Sequence, residues 1–267
     1  MALCDTFRDR AEWTWDVPNR AFNVKSQLLE ETLTDLNVLE LRFNHPKDVI
    51  TKTFTKPQEA STGADWEWWL TGPSNQWLGF RIQAKVIELR SSTYKHLHYK
   101  GKHSTSFQSD MLIQSALSNS PALVPLYCLY SFWDPQAVQS RWPCGTFSSN
   151  VKSYGCSLMS AFQVRKLRQS SYQNDINSLV SYMKPWQCLV CCQGYGAGDL
   201  PNRAWAYWGA QLRSADEVSI MNREVSDADD AFSNLVGRYR EISPVDTPPE
   251  YVLRLMEGEL IEPDRRT

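Results

Sequence analysis

Between Val24 and Phe43 the apolar residues Leu29, Leu33, Leu36, Leu39 and Phe43 recur every three or four positions. That spacing predicts an amphipathic helix with these side chains toward the core. His45 and Pro46 end it. Ahead of it, residues 1–23 are aromatic and mixed, with Pro18 as a break. VITKTFT (49–55) is β-branched and predicts a strand. KPQEASTG (56–63) predicts a polar loop, and DWEWWL (65–70) a second strand. After the turn TGPSNQ, residues 76–89 predict a third strand. Phe80, Ile82, Ala84 and Val86 fall on one of its faces, and Arg81, Gln83 and Lys85 on the other.

Residues 106–118 predict a helix, and LVPLYCLYSF (123–132) a buried strand whose Pro125 suits an edge or a strand start. The order is helix, three-strand meander, helix, strand, which is a mixed α/β sheet. Beyond 133 the pattern predicts helices at 157–169 and 173–184, a strand at 187–193 and a loop at 194–204. Two more helices are predicted at 227–241 and 249–258. The chain thus divides into an N-terminal segment (1–23), a core (24–135) and a mostly helical C-terminal extension packed on that core (136–267).

At 267 residues and 42% hydrophobic content, the chain can build one large core. Eleven Trp imply an aromatic interior. The start, MALCDTFRDRAEW, lacks the apolar stretch of a signal peptide. The run ALVPLYCLYSFW (122–133) is shorter than the roughly 20 residues that cross a bilayer. A soluble, cytoplasmic protein without a membrane partner is expected. Seven cysteines in such a chain are expected to be reduced. Cys188, Cys191 and Cys192 could open a zinc site with Cys144, Cys156 or a His; a buried strand of small apolar residues is the simpler expectation.

Charge changes the picture further. Residues 215–267 hold thirteen acids and six bases, net −7; with −2 for the whole chain, +5 is left for residues 1–214. Residues 79–103 carry six Lys/Arg against Glu88 alone, with His96, His98 and His103 among them. Residues 141–170 carry five Lys/Arg and no acid. Two acid-poor stretches suit a polyanionic partner, and the acidic tail begins near 215. Tyr94, Lys95, His96, Lys102 and His103 are read as a solvated loop able to touch phosphate.

Antiparallel pairing of the second and third strands would bring Asp65 near Gln83 and Lys85, with Glu30 or Glu31 within reach from the helix. Carboxylate oxygens with a backbone carbonyl suit a hard cation such as Mg²⁺. A lysine beside it can neutralise charge developing on phosphorus. The same residues would also serve as a plain cross-strand ion pair between Asp65 and Lys85. No phosphate-cradling glycine loop, G-x-S-x-G or H-E-x-x-H is present.

The ordered set of a helix acid, G-A-D at a strand start and R-I-Q-A-K on the next strand resembles the PD-(D/E)xK restriction-endonuclease-like superfamily, most closely its Mrr-type branch. EETLTDL (30–36), EASTGADWEWWL (59–70) and RIQAK (81–85) also resemble a bacterial family known as domain of unknown function 6615. The nuclease resemblance implies a restriction-endonuclease-like core with catalytic Asp65, Gln83, Lys85 and Glu31, and Asp65 and Gln83 as ligands of Mg²⁺ or Mn²⁺. Gln83 replaces the commoner Glu, so Glu30, Glu67 or Glu59 would supply missing charge. The implied substrate is nucleic acid, DNA foremost, held by Arg81, Lys95, His96, Lys100, Lys102 and His103. A role in bacterial defence and a homodimer are compatible with such a fold. The alternative is a non-catalytic nucleic-acid or protein interaction module that keeps the nuclease fold.

Overall fold

Pro18 does not break the first element. In the computed structural model, α1 runs from Leu3 to Asn23 straight through it. Phe7, Ala11, Trp15 and Pro18 form one buried stripe, and its burial outweighs the one backbone hydrogen bond that proline removes. The structure describes residues 1–72, 76–102, 104–119, 122–138, 150–192, 199–211 and 226–227. The helices expected at 227–241 and 249–258 lie outside these, apart from residue 227.

α2 (Glu30–Asn44) ends at His45 as the sequence requires, but its buried face differs from the one expected. Leu33, Thr34, Asn37, Val38 and Leu41 are buried, whereas Leu39 and Phe43 are 61% and 81% exposed. Two apolar stripes overlap on this helix, and a period of three to four cannot choose between them. Asn37 also links to Thr14 of α1.

β1 (Val49–Thr53) follows. Residues 56–63, expected as a loop, begin with α3 (Lys56–Thr62). Thr55 and Gln58 form a capping box, and Gly63 closes the helix in the left-handed region. A Cβ at Gly63 would lie 2.8 Å from the Gln108 carbonyl, so the end of α3 rests directly on the next long helix. β2 (Trp66–Thr71), β3 (Gln76–Val86), α4 (Gln108–Leu117) and β4 (Val124–Tyr130) complete the expected order.

The sheet then continues through β5 (Cys156–Ser160), with α5 (Ala161–Ser171), α6 (Ile176–Leu179), β6 (Lys184–Pro185), α7 (Cys188–Cys191), α8 (Leu200–Gln211) and the two-residue β7 (Ser226–Asp227) in chain order. The strand order is β1-β2-β3-β4-β5-β6, with β7 paired to the start of β3. β3 and β4 are parallel, joined over α4; the other pairs are antiparallel. Pro125 is therefore near the start of a central strand, not on an edge.

Three further expectations are corrected. Residues 157–160 belong to β5, and only from Ala161 does the helix begin, capped by Ser160. CLVCC is buried, but as a turn of helix rather than a strand. Cys4 of α1 forms a disulfide with Cys191, so not all thiols are reduced. Packing of α1 over α7 brings the two together across 187 residues of chain.

Adjacent tryptophans of β2 face opposite ways. Trp68 meets Phe7 of α1 and Trp186, while Trp69 packs with Ile50, Ala116 of α4 and Leu123 on the other side. The α4 face also carries Glu67, Arg81 and Gln83, and this places the site described next.

Candidate active site

Strand β3 outruns β2. Their pairing ends at Trp66 opposite Ile82, one residue after Asp65. Past that point the backbone of Ala84 bonds to side chains. Asp65 Oδ2 accepts from the Ala84 N–H at 2.5 Å, and the Ala84 carbonyl accepts from Gln83 Nε2 at 3.0 Å. Gln83 Nε2 also donates to Asp65 Oδ2 at 2.6 Å. Gln83 Oε1 accepts from Gln108 Nε2, the first residue of α4, at 2.6 Å. The proximity of Gly63 to α4 holds Asp65 and Gln108 around the same amide.

Lys85, two residues on, is nearly buried and points to Glu30 Oε1 at 3.3 Å. Glu30, Asp65, Gln83, Lys85 and Gln108 line a cavity of about 670 Å³. Its wall carries six carboxylates (Glu30, Glu31, Asp35, Glu59, Asp65, Glu88) against three lysines (Lys56, Lys85, Lys95). Each lysine is already engaged: Lys56 with Glu31 and Glu59, Lys85 with Glu30, Lys95 with Glu88. Burial pushes the Asp65 carboxyl up to about 7; Lys85 pulls it down, and Glu30 and Glu59 push it up.

The structure thus brings together Asp65, Gln83, Lys85 and Glu30. Glu31 stands at the exposed rim with Lys56 rather than on Lys85. Glu59 is close enough for its charge to act on Asp65, but from α3, not a loop. Glu67 does not line the cavity. It is fully buried opposite Arg81, whose Nη2 lies 2.5 Å from its Oε1. This corrects the expectation for both residues: Arg81 also donates to the Ser115 carbonyl, so it cannot face a nucleic acid.

The basic loop is only partly solvated. Tyr94, expected to be exposed, is fully buried with its hydroxyl on Ser131. Lys95, Lys100 and Lys102 are exposed, Lys100 with its amine over the Phe107 ring. His96 lines the cavity beside Tyr99. His103 lies outside the described residues, as do Cys144, Arg141 and nearly all of the acidic tail.

Gln108 and Lys56 went unnoticed in the sequence. For Gln108 the available signal was a polar residue opening the crossover helix, a position that meets the strand end. Among the described residues, no three His, Cys, Asp or Glu side chains converge as a metal site. No helix among them is long and apolar enough to cross a membrane. Residues 3–266 match the model of a family described as Family of unknown function (DUF6615). No curated protein matches the chain.

Proposed function

Since the chain belongs to the DUF6615 family over nearly its whole length, we propose, from its site, that it is a Mg²⁺-dependent nuclease hydrolysing phosphodiester bonds, with DNA as the first substrate to test. The observation that carries this is the junction of Asp65, Gln83 and Lys85 where β3 outruns β2, inside a cavity.

The donor set suits a hard cation. Mg²⁺ keeps several waters and takes only one or two carboxylates from a protein. Asp65 Oδ1 accepts no hydrogen bond among the described residues, and the Ala84 carbonyl is held only by a side-chain amide. A cavity with twice as many carboxylates as lysines repels a phosphodiester unless cations enter with it. Asp65 and the Ala84 carbonyl would hold the ion, with Gln83 adding its oxygen once its amide turns.

A bound Mg²⁺ would polarise the phosphate and lower the pKa of its water. Lys85 supplies positive charge beside the phosphorus as negative charge builds on the non-bridging oxygens. Glu30 holds the lysine amine in place. Asp65 must be ionised to work, which favours activity above neutral pH.

The test is cleavage of plasmid, single-stranded DNA and RNA by purified protein with Mg²⁺ or Mn²⁺. Asp65→Ala and Lys85→Ala should each lose at least about 100-fold with the fold intact. Full activity in either variant removes this site from consideration. The alternative is a non-catalytic interaction module, favoured by one observation: Gln83 presents its N–H, not its oxygen, to Asp65. Nucleic-acid binding without cleavage in any metal would establish it.

A further inference from the structure

The Gln83 amide is held at both ends. Its nitrogen faces two acceptors, Asp65 Oδ2 at 2.6 Å and the Ala84 carbonyl at 3.0 Å. Its oxygen faces the Gln108 nitrogen at 2.6 Å. Turning Gln83 alone would set its oxygen against both acceptors and its N–H against another N–H. The arrangement is therefore a consistent hydrogen-bond state, and one in which Gln83 cannot ligate a cation.

One atom is left over. Gln108 Oε1 is buried and accepts no hydrogen bond from the described residues. A buried carbonyl oxygen without a donor costs free energy and calls for an explanation. It sits on the same amide group that holds Gln83.

We infer that Gln108 is a positioning residue for the cation site, working with Gln83 as a coupled amide relay; this rests on the proposed metal-dependent function. Without a cation, Gln108 donates to Gln83 as observed. With a cation at Asp65, both amides turn over together. Gln83 Oε1 then faces the ion beside the Ala84 carbonyl, and Gln83 Nε2 donates to Gln108 Oε1. The Gln83–Gln108 bond is kept in both states, with donor and acceptor exchanged, so that neither amide can turn without the other. A carboxamide can reverse donor and acceptor in this way by turning about its last bond, without changing charge.

The relay is tested on the full chain, labelled with ¹⁵N at glutamine side chains and titrated with Mg²⁺. Gln83→Glu and Gln108→Leu serve to assign the two amide signals. Both signals should move with a single half-saturation point, although Gln108 is not a ligand. A Gln83 signal that moves while Gln108 stays put overturns the relay and leaves the metal site standing. Mn²⁺ affinity, read from water-proton relaxation, gives a second measure. Gln108→Glu, which can only accept, should tighten it roughly fivefold by holding Gln83 with its N–H toward α4 and its oxygen toward the ion. The same substitution in a Gln83→Glu background should change it less than about twofold, since a carboxylate has no orientation to set. Equal gains in both backgrounds overturn the relay. Absence of any Mn²⁺ binding that depends on Asp65 overturns the functional proposal itself, and the relay with it.

Discussion

Replacing Asp65 with Asn removes a carboxyl whose ionisation the fold resists. Burial raises its pKa to about 7 from 3.8. Between those values the folded protein holds a proton that the unfolded chain has released. Stability therefore falls as pH rises through this window and stays lower above it. The full gap corresponds to about 4 kcal/mol at 1.36 kcal/mol per tenfold step in proton affinity. Asp65 keeps part of its surface in the cavity, and solvent screening there brings the expected effect to about 2 kcal/mol. Asn keeps an oxygen for the Ala84 N–H, so the substitution mainly removes the charge. Urea denaturation of both proteins in chelator, from about pH 3.5 to pH 8.5, measures the difference. Wild type should lose about 2 kcal/mol relative to the variant as pH rises. Mg²⁺ at pH 8 should restore wild type and leave the variant unchanged. Parallel pH profiles for the two proteins would mean that Asp65 is not an ionisable group under strain.

Three other outcomes are expected. Gln83→Glu should retain or raise Mg²⁺-dependent cleavage, because the carboxylate adds charge and needs no turn; loss of cleavage in a folded protein would assign Gln83 a hydrogen-bonding role instead. Arg81→Met should cost at least about 1–3 kcal/mol in urea unfolding by removing the guanidinium that donates to the buried Glu67, and adding Glu67→Leu should recover part of it. Reversing the charge of Lys95, Lys100 and Lys102 together should weaken nucleic-acid binding and reduce its salt dependence by up to about three phosphate contacts; an unchanged salt slope would make this loop a solvated face only.

How far the sequence could be read depended on the kind of signal. β2 and β3 were legible because Trp66, Trp68, Phe80 and Ile82 alternate with polar residues, and that alternation also set Asp65 near Gln83. Periodicity failed on α1, where Pro18 masks a buried stripe, and on α2, where two stripes compete. It failed at CLVCC because a short apolar run packs equally well as helix or strand. Glu67 and Arg81 share a strand face with the site residues, and only three-dimensional register shows that they neutralise each other away from the cavity. Choosing Glu30 over Glu31 needed the direction of the first turn of α2, which no spacing rule supplies.

The contacts of α1 have a consequence for the order of events during synthesis. Phe7 receives its hydrogen bond from Trp186, and Cys4 meets Cys191, at separations of 179 and 187 residues. A ribosome adding about 5–20 residues per second makes the helix wait roughly 10–40 s for these partners. Gly155, whose missing side chain leaves room for the Ala11 carbonyl, also arrives late. During that interval Phe7 can reach Trp68 of β2 but not Trp186, and Ala11 lacks its seat on Gly155. A helix translated before the sheet thus completes its docking only after β5 and α7 have followed, and until then the nascent chain offers part of an apolar stripe to any chaperone at the exit tunnel.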